Sequence, residues 1–222
     1  MQMNHPFLPF FLTSFLAIIG CAAGSPPTSQ PTTRQATDQG ASLFDGKTLA
    51  QWKVIDYAGA GEPRVEDNSL ILPAGERLTG VSYTGDVPKN NYEVSFLARR
   101  IDGTDFFAGL TFPVADSHAT LILGGWGGAT CGISSIDGED AAHNDLRSFR
   151  KFDTGKWYRV RLRVTSKKIQ AWVDDESIID FDPTGKKLTL RSADMEASTP
   201  LGFSAFATEA AVKEIRLKKL DI

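Results

Sequence analysis

The strongest constraint on the fold is a period-two alternation in residues 157–165. Apolar and basic side chains take turns along this stretch: Tyr158, Val160, Leu162 and Val164 are separated by Arg159, Arg161 and Arg163. Successive side chains of a β-strand point to opposite faces of its sheet. The pattern therefore predicts a strand with one buried face and one arginine-lined face that is polar or open to solvent.

Short runs of the same kind fill most of the chain, and Gly, Asp and Asn clusters separate them. The predicted strands cover residues 64–66, 69–72, 78–83, 92–100, 105–112, 120–125, 130–136, 157–165, 168–173, 177–181, 201–207 and 212–220. The polar triplet at 174–176 predicts a hairpin turn. About ten to twelve strands with little helix indicate an all-β fold, a two-sheet antiparallel jelly-roll sandwich.

The N-terminus has the features of an export signal. Residues 1–20 hold an apolar stretch that is too short and too interrupted for a stable bilayer span, which is typical of a signal peptide. The sequence Ile18-Ile19-Gly20-Cys21 resembles the lipobox of bacterial lipoproteins, in which the cysteine is acylated. We expect lipid attachment at Cys21 and a membrane anchor facing the periplasm or cell exterior. Ordinary secretion is the alternative, because no Lys or Arg precedes Cys21.

Residues 21–41 are predicted to be a disordered tether, and residues 42–222 the sandwich domain. The tether is rich in Ser, Thr, Pro, Gln and Ala and offers too few apolar side chains to fold. With Cys21 acylated, Cys131 is left alone, so no intramolecular disulfide is expected. An apolar strand setting favours a buried structural thiol at Cys131 over a nucleophile.

The charge balance argues against nucleic acid as a partner. The formal net charge is −3. A phosphate backbone requires a basic excess that this chain lacks.

An ordered set of short motifs carries a resemblance to a known family. The set runs Leu43-Phe44-Asp45-Gly46-Lys47 with Trp52, Val65-Glu66-Asp67-Asn68, Tyr92-Glu93-Val94, Gly155-Lys156-Trp157-Tyr158, Asp174-Asp175, Leu201-Gly202-Phe203 and Val212-Lys213-Glu214-Ile215. Together these motifs resemble the 3-keto-disaccharide hydrolase domain family, formerly a domain of unknown function. The resemblance spans nearly all of residues 42–220 and implies a concanavalin A-like jelly roll.

The resemblance implies cleavage of glycosidic bonds in sugars oxidised at carbon 3. The ketone acidifies the hydrogen on carbon 2, so a general base can remove it while another group stabilises the enolate. The enolate expels the aglycone, and water addition completes net hydrolysis. Family members usually carry an aromatic-Glu pair on a strand in mid-domain, whereas residues 119–126 here hold no ionisable group. The departure also fits a branch that binds sugar without cleaving it.

The most polar stretch, residues 134–147, predicts a long loop and the candidate site. Here Asp137 or Glu139 is the candidate base, His143 the candidate base or acid, and Arg147 the candidate partner of the keto oxygen. Asp140 and Asn144 are candidate sugar-binding residues on the same loop. The alternative interpretation is a solvated surface loop.

The acidic residues and histidines do not form a recognisable metal-binding motif. Asp137, Glu139 and Asp140 offer the hard oxygen ligands that calcium prefers, but their spacing matches no EF-hand loop. His118 and His143 are too few for a three-histidine zinc site. We therefore assign no metal and no cofactor and leave calcium open.

Trp126 lies in the glycine cluster 124–128 and has two interpretations. Either its indole stacks on a pyranose ring, or the indole packs into the end of the sandwich. The arginine face of residues 159–163 also has two interpretations. It forms a groove floor that contacts sugar hydroxyls or, as we favour, an outer face that is charged for solubility.

Three functions remain open: an enzyme acting on 3-keto-glycosides, a non-catalytic carbohydrate-binding or adhesion domain, and a structural envelope lipoprotein.

Overall fold

A computed structural model describes residues 40–222 of the chain. The predicted signal peptide, the predicted acylation site at Cys21 and the predicted tether up to residue 39 lie outside the described residues. Within residues 40–222, no helix is long and apolar enough to cross a membrane.

Almost all of the regular secondary structure consists of strands. They are β1 Ala41–Ser42, β2 Trp52–Val54, β3 Arg64–Glu66, β4 Ser69–Leu72, β5 Leu78–Tyr83, β6 Tyr92–Gly103, β7 Ala108–Val114, β8 Ser117–Gly125, β9 Thr130–Ser134, β10 Ser148–Phe149, β11 Tyr158–Val164, β12 Ile169–Val173, β13 Glu176–Phe181, β14 Leu201–Phe206 and β15 Thr208–Lys219. A 3₁₀ helix, Ala193–Ser198, precedes β14.

Two antiparallel sheets form the fold. The eight-stranded sheet has the order β13-β12-β11-β6-β15-β4-β3, with β1 also paired to β15. The seven-stranded sheet has the order β10-β9-β8-β7-β14-β5-β2. The all-β, two-sheet prediction is confirmed, and so is the predicted hairpin of β12 and β13.

The alternation in β11 behaves as predicted. Its apolar side chains are buried in the core, and its arginines point to the outer face of the eight-stranded sheet. Strands β1, β2 and β10 were not predicted. They have two or three residues each, too few to display a period of two.

Aromatic rings dominate the core between the sheets. Phe203 lies 4.8 Å from Phe96 and 5.5 Å from Trp52, centroid to centroid. Such pairs contribute about 0.5–1.5 kcal/mol beyond the burial of their area. These contacts tie β14 of one sheet to β6 of the other.

Small residues on the outer face of the seven-stranded sheet let loops lie directly on it. An added Cβ on Gly132 would meet Ala141 at 3.1 Å, and one on Gly202 would meet the Ser198 carbonyl oxygen at 2.4 Å. The Ser198 hydroxyl donates to Thr111 Oγ1 at 2.8 Å. A second apolar cluster fills this layer: Ile55, Tyr57, Leu78, Phe106, Ile122, Ala141 and Met195. The loop packing creates the cavity described next.

Candidate functional site

A cavity of about 340 Å³ opens on the outer face of the seven-stranded sheet. Its lining combines a strand floor with residues of the loop before β14: Arg77, Leu78, Phe106, Thr120, Ile122, Trp126, Ser134, Arg191, Ser192, Asp194, Met195 and Phe206. The floor is apolar with a few hydroxyls, and the charged groups lie in the walls. Small-molecule sites have this composition and are about this size or larger.

Trp126 stands at the edge of the cavity in a left-handed backbone conformation, with φ of 47°. Its amide donates to Asp105 Oδ1 at 3.2 Å, and the Phe106 amide donates to the same oxygen at 2.7 Å. The Trp126 side chain is 36% exposed. The indole therefore lies outside the core between the sheets, with part of its surface open.

A buried arginine holds the Trp126 loop from beneath. Arg100 is 5% exposed, and its guanidinium donates to the carbonyl oxygens of Asp105, Gly124, Gly128 and Phe152 at 3.1–3.3 Å. Burial lowers the pKa of Arg100, and the acceptors are neutral carbonyl groups. These acceptors include Asp105, which binds the Trp126 amide, and the glycines on either side of Trp126. Arg100 therefore holds the backbone that carries the indole.

Arg191 connects Trp126 to the predicted polar loop. Its guanidinium lies 5.2 Å from the Trp126 ring centroid, and its Nη2 lies 3.1 Å from Asp140 Oδ2. The other oxygen of Asp140 contacts His143 Nδ1 at 2.6 Å and accepts from the Ala142 amide at 3.0 Å. The structure thus brings together three predicted site residues, Trp126, Asp140 and His143, through an arginine that was not predicted.

The cavity itself holds two guanidinium groups and one carboxylate. Arg77 precedes β5, Arg191 precedes the 3₁₀ helix, and Asp194 lies in that helix. Among the described lining residues, Asp194 is the single carboxylate. His143 is joined to the cavity wall through Asp140 and does not itself line the cavity; its side chain is 68% exposed.

Asp137 and Glu139 lie away from the cavity lining. Asp137 accepts from the Lys187 amide and from Lys186 Nζ, each at 2.9 Å. These two hydrogen bonds lower the pKa of Asp137 below its ordinary value. The Glu139 side chain is exposed, and its backbone pairs with Ile136. Neither carboxylate lines the cavity that Trp126 lines.

Arg147 and Asn144 bind the loop to itself. Asn144 Nδ2 donates to the carbonyl oxygens of Ile133, Glu139 and Asp140 at 2.8–3.2 Å. Arg147 Nη1 donates to the Ala142 carbonyl oxygen at 2.8 Å. Both side chains stabilise the loop that carries Asp140 and His143.

The acidic residues proposed for calcium are held by different partners, Asp137 by lysines and Asp140 by Arg191 and His143. Within residues 40–222, no three His, Cys, Asp or Glu side chains are grouped as a metal site. His118 is half-buried, and burial, with a smaller effect of Lys89, lowers its pKa. Burial raises the pKa of Cys131 to about 11, so its thiol is protonated at neutral pH.

The site residues that were not predicted are Arg77, Asp105, Arg191 and Asp194. Arg191 and Asp194 lie in a stretch without strand alternation that folds back over the sheet. Asp105 lies before β7, where a short polar residue next to an apolar run indicates a turn or cap. The sequence thus offered a signal for Asp105 as a turn residue but none for the path of the 188–199 segment.

The family model described as the 3-keto-alpha-glucoside-1,2-lyase-like domain matches residues 40–218. No curated protein matches the chain by sequence.

Solved structures show the same fold at low identity. A protein assigned as a glycosyl hydrolase from Parabacteroides distasonis has a TM-score of 0.55 at 14% identity, covering 86% of this chain and 99% of that one. Carbohydrate binding module CBM66 from Bacillus subtilis has a TM-score of 0.50 at 10% identity, covering 76% and 96%. The Crh5 transglycosylase in complex with NAG has a TM-score of 0.53 at 9% identity, covering 84% and 86%.

These likenesses confirm the concanavalin A-like jelly roll. The family model covers most of the chain and agrees with the ordered motifs from Leu43 to Ile215. The chain therefore belongs to the 3-keto-alpha-glucoside-1,2-lyase-like domain family.

Proposed function

We propose that the Trp126 cavity binds a 3-keto-glycoside and that the chain cleaves its glycosidic bond by elimination. The observation that carries the proposal is the convergence of the Trp126 indole, one carboxylate and two guanidinium groups on a single cavity. Family membership supplies the substrate class.

The cavity suits one sugar ring. The exposed part of the Trp126 ring offers an apolar face for the axial hydrogens of a pyranose. Thr120, Ser134 and Ser192 line the same cavity and bring hydroxyls that donate to and accept from sugar hydroxyls. The volume of about 340 Å³ is sufficient for one monosaccharide unit.

Elimination needs one base and one stabiliser of negative charge. Asp194 takes the proton from carbon 2, and the electron pair of that C–H bond moves into the enolate of the 3-keto group. Arg191 and Arg77 stabilise the enolate oxygen. The enolate re-forms the ketone as a carbon 1–carbon 2 double bond develops, the C1–O bond breaks, and the aglycone oxygen takes a proton from water. A water molecule then adds across the double bond, with its oxygen on carbon 1 and a solvent hydrogen on carbon 2. The proton held by Asp194 neutralises the hydroxide left when water protonated the aglycone, which restores the base.

Ordinary glycoside hydrolysis suits the cavity less well. That chemistry uses a pair of carboxyl groups, about 5–9.5 Å apart, on the two sides of the scissile bond. The described lining residues supply one carboxylate, Asp194. A keto sugar does not need the second carboxyl group, because its own ketone acidifies the hydrogen on carbon 2.

Non-catalytic sugar binding is the second candidate function. Two observations favour it. The two carboxylate oxygens of Asp140 already contact Arg191 and His143, and the Asp194 side chain is exposed. Both candidates use Trp126 and differ in whether Asp194 has a function beyond surface charge. A carbohydrate partner is common to both.

We also propose that the chain is exported and anchored to a membrane by acylation of Cys21. The support is the apolar run before the lipobox-like Ile18-Ile19-Gly20-Cys21. Cys21→Ser should move the protein from the membrane fraction to the soluble exported fraction. Retention of the variant in the membrane fraction would contradict the anchor and leaves the sugar proposal untouched.

Aglycone release tests the catalytic proposal. The chain is incubated with 3-keto-glucosides and with their unoxidised parents, with and without EDTA. We expect release from the keto substrates alone, unchanged by EDTA and reduced at least 100-fold by Asp194→Asn. Asp137→Asn is the matched control, an exposed carboxylate outside the cavity, and should keep full activity. Sugar binding without release from any substrate would leave the non-catalytic function.

A further inference from the structure

The outer face of the eight-stranded sheet carries a second depression, which we call the basic groove. It has a volume of about 380 Å³ and is lined by Glu93, Ser95, Phe96, Leu97, Arg159, Arg161, Glu214, Arg216 and Lys218. Strand β6 forms the floor, and β11 and β15 form the two walls. Ser95 of the floor lies between Arg161 and Arg216 in the register of the sheet.

Basic side chains are concentrated on this face. The three central strands direct these cations outward: Arg99, Arg159, Arg161, Arg163, Lys213, Arg216 and Lys218. The acidic residues lining the groove are Glu93 and Glu214. Because the whole chain has a net charge of −3, this cationic surface is a local feature and does not follow from composition.

Aromatic rings and one carboxylate hold several of the cations in place. The Arg161 guanidinium lies 4.0 Å from the Trp172 ring centroid, and that of Arg163 lies 5.7 Å from it. Both arginines also contact Glu93, at 3.5 Å and 2.9 Å. Arg99 and Lys213 lie over Trp157 at 4.6 Å and 4.3 Å. Groups held in this way lose less conformational freedom when a ligand binds.

The shape of the groove selects among anionic ligands. The walls are two strand spacings apart, about 9–10 Å, and outward side chains recur along each wall about every 6.6–7 Å. Repeated cations on both sides of a narrow channel match a single extended chain with repeated negative charges. A lipid bilayer presents a flat surface, which reaches the tips of the walls and not the floor at Ser95.

We propose that the basic groove binds a linear polysaccharide that carries carboxylate or sulfate groups. The arginines pair with these groups through charge-assisted hydrogen bonds, and Ser95 on the floor meets sugar hydroxyls. The groove lies on the sheet opposite the Trp126 cavity, so both can be occupied together. The binding does not depend on the proposed lyase activity.

Fluorescence anisotropy of labelled oligogalacturonate tests the proposal on the full chain with Cys21→Ser, which removes the proposed lipid anchor so that any association with vesicles reports the folded domain. Dextran sulfate and neutral dextran serve as unlabelled competitors, and anionic phospholipid vesicles as a third. We expect binding at about 50 mM salt that weakens strongly at about 500 mM. Dextran sulfate should compete, and neutral dextran should not.

The variant pair Arg159→Gln with Arg216→Gln removes one cation from each wall and should weaken binding about tenfold. Lys89→Gln with Lys151→Gln makes the same charge change at exposed ion pairs outside the groove and should weaken it less than twofold. If circular dichroism shows that the first pair fails to fold, the exposed Arg159→Gln alone should weaken binding about threefold.

Three results would overturn the proposal. One is equal weakening by the groove pair and the control pair, since binding would then reflect overall charge. Another is association with vesicles and none with oligogalacturonate, since the face would then bind membranes. The last is the lack of any polymer binding at low salt.

Discussion

The guanidinium of Arg191 lies 5.2 Å from the centroid of the Trp126 ring. One residue comes from the glycine turn after β8 and the other from the segment that folds back before β14. Their contact forms one edge of the cavity, and the same arginine reaches Asp140 at 3.1 Å. The Trp126 ring and the charged wall of the cavity are thereby held as one unit.

Replacing Trp126 with Ala should weaken sugar binding about tenfold, because the stacking surface is lost. The change should barely affect folding, since Trp126 lies outside the core between the sheets. Titration calorimetry with a glucoside measures the loss. Phe149→Ala is the matched control, an aromatic residue that is 70% exposed and outside the cavity. Equal binding by Trp126→Ala and the unaltered chain would remove the indole from the site.

Arg191→Gln should lower kcat for 3-keto substrates more than it raises KM, because the guanidinium acts mainly on the enolate. Its effect on stability should stay below about 1 kcal/mol, since the side chain is 57% exposed. Lys186→Gln is the control, a similarly exposed ion pair with Asp137. A change in stability alone, with kcat unaltered, would give Arg191 a purely structural role.

Arg100→Met should lower the free energy of unfolding by about 3 kcal/mol, because buried carbonyl groups lose their donor. Urea denaturation measures this value. Sugar binding should also weaken, since Gly124 and Gly128 beside Trp126 are no longer held. The exposed Arg159→Gln should change stability by less than about 0.5 kcal/mol. Unaltered stability of Arg100→Met would contradict the assigned role.

Gly124→Ala and Gly127→Ala form a matched pair. Both positions have positive φ, but an added Cβ at Gly124 would lie 2.5 Å from Arg100 Nη2, whereas one at Gly127 meets nothing within 4 Å. We expect about 1 kcal/mol of destabilisation at Gly127 from backbone strain alone and at least about 2 kcal/mol at Gly124. Thermal unfolding compares the two variants. Equal losses would show that the clash with Arg100 has no effect.

The buried thiol of Cys131 should make stability fall at alkaline pH. Its folded-state pKa is raised from 9.0 to about 11, mainly by burial. The native state then keeps its proton where the unfolded state has lost it, so this stabilisation is complete below about pH 9 and is lost as pH rises through about 11. The loss approaches about 2–3 kcal/mol. Cys131→Ala should show a smaller decline over this range, and identical curves would contradict the pKa.

Local pattern predicted the strands and missed the organisation of the site. Alternation in β11 and the turn at Asp174 depend on neighbouring residues, so one sequence sufficed for the two-sheet fold. The cavity depends on where the 188–199 segment lies on the sheet. That path depends on small residues such as Gly202 and on the Ser198–Thr111 hydrogen bond, which join distant parts of the chain. For this reason Trp126 was named from the sequence but Asp194 and Arg191 were not, although all three line the cavity.

The polar loop, residues 134–147, is a second case in which the sequence did not predict the side-chain contacts. Clustering in sequence suggested that Asp137, Glu139, Asp140 and Asn144 act together, yet Glu139 is exposed and the other three contact different partners. Asp137 binds Lys186, Asp140 binds Arg191, and Asn144 binds backbone carbonyl groups. Proximity along a loop does not determine the direction of a side chain.

Isotope incorporation tests the central claim most directly. A 3-keto-glucoside is cleaved by the chain in D₂O, and the mass of the released 3-keto-glucose is compared with that of product incubated without protein. Elimination followed by water addition predicts one deuterium at carbon 2 in every product molecule, and Asp194→Asn should slow formation of this product at least 100-fold. Release of product that retains its original hydrogen at carbon 2 would contradict proton abstraction and indicate direct displacement at carbon 1.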